Sequence, residues 1–108
     1  MTKDEARERL ERSRVLIDDV DCRIVELLNE RTRVVEEIGR VKREADMPIY
    51  EPRREDQVFE NITRANQGPL TRDAVRRIFE RIIDESRVIQ RMRMQAAEGR
   101  KAEPGGEE

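Results

Sequence analysis

The sequence predicts an all-α protein with three helices. The chain is rich in Glu, Arg, Lys, Ala and Leu, which form helices readily. Its apolar residues, mostly Ile, Val and Leu, recur at steps of three, four and seven, which is the spacing of one helix face. Three of the four Pro residues lie at or next to the breaks between these periodic segments, and the fourth lies near the C-terminus. A length of 108 residues is enough for one domain.

The first helix is predicted over residues 3–45, where no Pro occurs and only Gly39 weakens the helix. A helix of roughly 40 residues is about 60 Å long at 1.5 Å per residue. A lone small domain cannot cover such a helix, so we expect it to lie along a second copy of the chain. The composition, 35% hydrophobic and 44% charged, also favours a homodimer because a core from one chain would be thin.

Pro48 ends the first helix, because it disfavours helix at the residue before it. Pro52 suits the first turn of a second helix, predicted over residues 51–66. The Gly-Pro pair within residues 67–70 marks the second break.

Thr71 is a good N-cap for a third helix, predicted to run to about residue 97. Asp73 in its first turn is favoured by the helix dipole. Beyond it the chain has no apolar residue larger than Ala. We therefore expect a helical domain at 1–98 and a disordered tail at 99–108.

Composition excludes several kinds of function. The net charge is −2 with both signs interspersed, which argues against a nucleic-acid surface. No apolar run approaches a membrane span or a signal peptide, so a cytoplasmic protein is expected. No His is present, which excludes His-based zinc sites, catalytic triads and general bases. Cys22 is the only thiol, and we expect no metal and no cofactor.

Three cations interrupt the apolar face of the first helix. Arg31 falls in one row at seven-residue spacing, and Arg14 and Lys42 end the neighbouring row. The apolar members of this face are Leu10, Ile17, Val20, Ile24, Leu27, Leu28, Val34, Val35, Ile38 and Val41. An unpaired buried ion costs on the order of 3–5 kcal/mol, so these cations must pair with each other, with other residues or with a ligand.

The other two helices show the same mixture. Ser86 and Gln90 continue the apolar row of the third helix, which includes Val75, Phe79, Ile82 and Ile83. Glu51, Arg54 and Glu55 lie on or beside the row of the second helix that contains Val58, Ile62 and Ala65. Together these groups predict a site for a small anionic substrate, with cations for its carboxylates and Glu for a hydroxyl.

Each residue also has an ordinary explanation. An Arg on the stripe can extend to solvent or pair with a surface carboxylate. Glu51 and Glu55 could cap the second helix or pair along it. Ser86 could bond back to a helix carbonyl, and Gln90 could lie at the surface. Periodicity alone therefore predicts a polar cluster and no particular reaction.

The order and spacing of these residues resemble the all-α class of chorismate mutases. The match covers roughly residues 10 to 95, and its motifs are Leu-Leu-x-x-Arg ending at Arg31, Gly-x-x-Lys ending at Lys42, Arg54-Glu55 and Ser-x-x-x-Gln ending at Gln90. The resemblance implies three helices per chain, two intertwined chains, and two active sites that each use a long helix from both chains. It implies the rearrangement of chorismate to prephenate in phenylalanine and tyrosine biosynthesis, without a cofactor.

The resemblance also implies roles for the site residues. Arg14 would reach the partner's site, Arg31 would bind a substrate carboxylate, and Lys42 would contact a carboxylate and the ether oxygen. Gln90 would be the other donor to that oxygen, and Glu55 would receive the ring hydroxyl.

Glu51 stands where the family commonly has an Asp. At that position the backbone can make the contact with the substrate. Arg54 matches a supporting arginine, and Ser86 matches the serine near the ring carboxylate. Arg87 stands where some members have a small apolar residue, which bears on the packing beside Ser86.

Two other functions fit the same sequence. One is elimination of pyruvate from isochorismate on the same scaffold, and the other is a non-catalytic helical dimer or regulatory module. The segment 50–55 and the Gly68-Pro69 break look most like mutase domains fused to 3-deoxy-arabino-heptulosonate-7-phosphate synthase. We expect this chain to be free-standing, with that synthase as a candidate partner.

Overall fold

The described chain is all-helical, as the sequence predicts. The computed structural model describes residues 1–102, and these form three α-helices and no strands. Helix α1 spans Lys3–Glu44, α2 spans Pro52–Ala65 and α3 spans Arg72–Ala102. None of these helices combines the length and the apolar character that crossing a membrane requires.

The chain divides into two compact units, with the boundary between Arg33 and Val34 inside α1. The first unit is the N-terminal part of α1, which begins with a cap: the Glu5 N–H donates to Thr2 Oγ1 at 3.1 Å. The second unit contains the end of α1, α2 and α3. The buried apolar side chains, Val35, Val75 and Ile83, all belong to it.

The apolar face predicted on α1 is mostly exposed in the single chain. Of its ten predicted apolar members only Val35 is buried, whereas Leu27 is 63% exposed and Ile17 is 56% exposed. Most of this face is therefore exposed in the single chain.

Helix α1 ends in a Schellman motif. Asp46 adopts a left-handed φ of 55°, and its N–H donates to the Arg43 carbonyl at 3.2 Å while the Met47 N–H donates to the Lys42 carbonyl at 2.7 Å. The sequence predicted the end of this helix from Pro48, but the reversal happens two residues earlier. This turn brings the following segment back toward Lys42.

The starts of α2 and α3 follow the sequence predictions. Pro52 lies in the first turn of α2. Thr71 caps α3, because its Oγ1 accepts from the Ala74 N–H at 3.1 Å. Helix α3 continues to Ala102, past the predicted end near residue 97. The tail predicted at 99–108 overlaps this last turn, and its residues 103–108 lie outside the described part of the chain.

Candidate functional site

A buried lysine lies in the last turn of α1, within the second unit. Lys42 is 7% exposed, and its ammonium donates to the Ile49 carbonyl and to Gln90 Oε1, both at 2.9 Å. It also forms an ion pair with Glu51 Oε1 at 2.7 Å. These four residues, the Lys42 cluster, join the end of α1, the 45–51 segment and α3. An ammonium has three N–H donors, so the three acceptors satisfy it fully.

Gln90 is held in one orientation by this contact. The side chain is 7% exposed, so the sequence alternative of a surface glutamine is wrong. Because an ammonium can only donate, Gln90 must present its oxygen to Lys42. The amide nitrogen, a donor of two protons, therefore points away from Lys42. The site thus holds a cation and an amide donor side by side.

Gly39 explains how α1 and α3 come close enough for this contact. A Cβ built at Gly39 would lie 3.3 Å from the Gln90 Cα and 3.4 Å from its Cγ. A Cβ at this position would therefore force the two helices apart by a few tenths of an ångström. Sequence reasoning counted Gly39 as a weakness of the first helix and as the glycine of the Gly-x-x-Lys motif, but assigned it no role in helix packing.

Ser86 lies one turn before Gln90 and is 8% exposed. Its hydroxyl donates to the Ile82 carbonyl at 2.9 Å, which is the back-bonding that the sequence left open as an alternative. A hydroxyl oxygen keeps lone pairs after it donates, so this bond does not prevent Ser86 from accepting a second one.

Glu55 pairs across to α3. Arg87 Nε donates to Glu55 Oε2 at 2.8 Å, and Arg87 Nη2 donates to Glu55 Oε1. This hydrogen bonding raises the pKa of the Arg87 guanidinium above its ordinary value, so Arg87 stays charged. The sequence singled out Arg87 only for packing beside Ser86. No sequence signal pairs it with Glu55, because the partners lie 32 residues apart on different helices.

The remaining predicted site residues are three arginines. Arg54 is exposed, and its Nη1 lies 3.4 Å from Gln57 Oε1 on the same helix. Arg14 is exposed and Arg31 is half-buried, and both belong to the first unit. The second unit therefore brings together Lys42 and Gln90 with Glu51, and places Glu55 with Arg87.

The arrangement is suited to binding an anion without transferring a proton. Arg, Lys and amide groups do not ordinarily titrate near neutral pH, so they serve as fixed donors. Fixed donors in a buried site stabilise negative charge that develops during a reaction. The fold and this cluster together define an all-helical protein with a donor site between its helices.

Comparison with known proteins identifies the family. The model of the family described as chorismate mutase type II matches residues 13–91. The solved structure of chorismate mutase (form II) from Thermus thermophilus superposes with a TM-score of 0.75 at 35% identity, covering 77% of this chain and 94% of that one. The form I structure gives a TM-score of 0.69 at 37% identity, covering 72% and 98%. This chain belongs to the chorismate mutase type II family.

Curated relatives agree with this assignment. The chain is 39% identical over 80 residues to the bifunctional chorismate mutase/prephenate dehydratase of Aquifex aeolicus, covering 70% of this chain and 22% of that protein. It is 22% identical over 94 residues to the chorismate mutase of Methanocaldococcus jannaschii, covering 86% and 95%. The chain thus spans about a fifth of the length of the bifunctional relative.

Proposed function

We propose that this protein catalyses the rearrangement of chorismate to prephenate. The observation that carries the proposal is the buried contact between Lys42 and Gln90, which holds two donors of different chemistry against each other inside the helical core. Membership of the chorismate mutase family supports it. No His is available in the sequence, and the proposed reaction needs none.

The reaction is a single-molecule Claisen rearrangement. The bond at the ether oxygen breaks while a carbon–carbon bond forms, and no proton moves. Holding the flexible enolpyruvyl arm over the ring speeds the reaction, because the conformational entropy is lost on binding and not in the chemical step. Lys42 and the Gln90 amide would donate to the ether oxygen as negative charge grows there, with the donors already in place.

Substrate binding to Lys42 requires one of its three present acceptors to leave. Glu51 is the best candidate, because its side chain is 44% exposed whereas that of Lys42 is 8% exposed. The Ile49 carbonyl and Gln90 are held by the backbone and by the packing beside Gly39. In this proposal the ion pair with Glu51 keeps Lys42 satisfied until substrate binds. The N–H that Glu51 releases is then shared between a substrate carboxylate and the ether oxygen, while the other two remain on the Ile49 carbonyl and Gln90.

Glu55 would accept the ring hydroxyl, and Ser86 would lie near the ring carboxylate. For Arg14, Arg31 and Arg54 the support for a role is the resemblance of the sequence to the family. Arg31 would bind a substrate carboxylate, Arg54 would support the site, and Arg14 would act in the site of a second copy.

We infer that the protein works as an intertwined homodimer, and the exposed apolar face of α1 supports this. A partnership with 3-deoxy-arabino-heptulosonate-7-phosphate synthase rests only on the resemblance of the 50–55 segment and the Gly68-Pro69 break. The cytoplasmic location expected from the sequence stays a prediction.

The test is the loss of chorismate's ultraviolet absorbance with purified protein, with prephenate confirmed as the product. Lys42→Ala removes one donor to the ether oxygen, and loss of one such donor typically costs about 10²–10³ in rate. Arg40→Ala is the matched control, because Arg40 is an exposed cation two residues away that pairs with Glu37. A folded wild-type protein without turnover would contradict the proposal, and isochorismate would be tested next.

A further inference from the structure

Arg87 and Glu55 form a clamp between α3 and α2. The two-pronged contact uses both carboxylate oxygens, and the side chains are only 29% and 20% exposed. Such fork-like pairs fix orientation as well as contributing energy. Glu55 is therefore held in one direction rather than left to move at the surface.

The Arg87 guanidinium is itself held by other contacts. Its Nη1 lies 3.2 Å from Asp84 Oδ1, one turn earlier on α3. The Arg87 Cζ atom lies 5.3 Å from the centroid of the Tyr50 ring, within the range of a cation–π contact. The clamp therefore ties α2, α3 and the 45–51 segment together, and that segment also supplies Ile49 and Glu51 to Lys42.

We propose that Arg87 is a positioning residue that aims the Glu55 carboxylate at the ring hydroxyl of the substrate. This inference rests on the proposed function. A carboxylate offers about four lone-pair sites, and the two-pronged contact uses one on each oxygen. One site on each oxygen remains, so Glu55 accepts a hydroxyl without releasing Arg87.

The position of Arg87 in the sequence fits this role. It follows Ser86 directly and precedes Gln90 by three residues, so one turn of α3 carries all three. A shift of the clamp would therefore change the position of Glu55 on α2 relative to Ser86 and Gln90 on α3. A side chain that supports a site residue in this way sets its geometry without touching the substrate.

The test compares two substrates: chorismate and an analogue whose ring hydroxyl is replaced by hydrogen. Arg87→Met removes the donors but keeps an unbranched side chain, and Arg87→Lys keeps the charge but loses the fork. Loss of a hydrogen bond to a charged group corresponds to a decrease of about tenfold to a hundredfold in kcat/KM. We expect Arg87→Met to lose about that factor in kcat/KM on chorismate and little on the analogue, so that the preference for the hydroxyl disappears.

Arg87→Lys separates positioning from charge. Because a lysine cannot make the two-pronged contact, most of the preference for the hydroxyl should be lost in this variant too. The Glu55→Gln and Arg87→Met changes should be non-additive when combined, since both act on the same hydroxyl contact.

Arg93→Met is the matched control. Arg93 lies on the same helix and also pairs with a glutamate of another helix, but two of its nitrogens donate to one oxygen of Glu36, and its side chain is 53% exposed. This variant should keep the wild-type preference for chorismate over the analogue that lacks the ring hydroxyl. Thermal unfolding of every variant checks that each one is folded.

Three outcomes would overturn the inference. Equal losses on both substrates in a folded Arg87→Met protein would mean that Arg87 is only structural. A gain in kcat/KM would mean that Arg87 competes with the hydroxyl for Glu55. A wild-type protein that turns over neither substrate removes the proposed function, and the inference fails with it.

Discussion

At the residue scale, the molecule resolves the difficulty of burying a cation by surrounding it with acceptors. Lys42 has two neutral acceptors and one carboxylate, and the carboxylate belongs to the more exposed side chain. A buried ion left without partners would destabilise the fold by several kcal/mol. The same arrangement leaves one acceptor that a bound anion can replace.

Gln90→Glu should restrict activity to acid pH. A neutral amide donates at every pH, whereas a carboxyl group donates only while it is protonated. The ammonium of Lys42, 2.9 Å from the Gln90 oxygen, favours the ionised form of the new carboxyl group. The rate of chorismate loss, measured from about pH 4 to 9, should therefore fall as pH rises through the carboxyl range.

The wild-type protein is the control for this prediction. The roles proposed for an ammonium and an amide need no group to gain or lose a proton, so the wild-type rate should be flat between about pH 6 and 9. A steep bell near pH 7 in the wild-type protein, or a flat profile in the Gln90→Glu protein, would contradict the roles given to these residues.

The sequence predicted the burial of several polar residues but not their partners. Helical periodicity places Lys42, Ser86 and Gln90 on apolar faces, and the structure confirms that all three are buried. The Arg87–Glu55 contact could not be predicted, because periodicity does not show which faces of two helices meet. The contact between Lys42 and the Ile49 carbonyl could not be predicted either, because every residue type has a backbone carbonyl.

At the element scale, the close approach of α1 and α3 depends on one position. Gly39→Ala adds a Cβ that would lie 3.3 Å from the Gln90 Cα, so the helices must shift by a few tenths of an ångström. Alanine favours the helix over glycine by about 1 kcal/mol, which offsets the cost of the shift. We expect little change in stability but a loss of about tenfold in rate, because the shift displaces the Gln90 donor.

Steady-state kinetics and chemical denaturation of the same Gly39→Ala preparation measure both quantities. Ala45→Gly, an exposed exchange of the same two residue types just beyond α1, is the comparison that should leave the rate unchanged. A rate loss matched by an equal loss of folded protein would show that Gly39 acts on stability alone.

The end of α1 rests on a strained residue. Asp46 holds a left-handed φ of 55°, a conformation that costs roughly 1–2 kcal/mol for residues other than glycine and is worse for β-branched ones. Asp46→Val should therefore destabilise the protein by about 1 kcal/mol, and Asp46→Gly should not. For a domain of about this size that corresponds to a Tm lower by about 4–8 °C. Calorimetry at one protein concentration tests this, and equal Tm values for both variants would refute it.

Sequence reasoning placed the end of α1 within one residue but gave a different cause. Pro48 is a reliable signal that a helix has ended nearby. The left-handed residue of a Schellman motif is usually glycine, and here it is Asp46, so the composition carried no clear signal for the motif. The position was predictable, whereas the hydrogen bonds that turn the segment toward Lys42 were not.

At the scale of the whole molecule, a row of apolar side chains on α1 stays exposed in the single chain. The fold class and the number of helices were predictable, because patterns of period near 3.6 and Pro breaks are local features. The exposure of the α1 face depends on what lies against it, and no local pattern shows that. Side chains such as Val20, Ile24 and Leu27 remain 42%, 47% and 63% exposed in one chain.

A second copy of the chain is the proposed cover for this face, and Leu27→Asp tests it. In a monomer, a charge at an exposed position changes stability by no more than about 0.5 kcal/mol. In a dimer it places an unpaired carboxylate within an apolar interface, which costs several kcal/mol. Light scattering should therefore give the wild-type protein twice the chain mass of 12.8 kDa, and the Leu27→Asp protein should be monomeric or unfolded.

Asn29→Asp is the control for the dimer test, because it introduces the same charge on the opposite side of α1, also at an exposed position. This variant should remain dimeric and active. Activity should be lost together with the dimer in Leu27→Asp, since each proposed site takes Arg14 from the second copy. A wild-type protein that is monomeric and active at assay concentration would contradict both the dimer and the role of Arg14, while the Lys42 cluster, which lies within one chain, would still account for the chemistry.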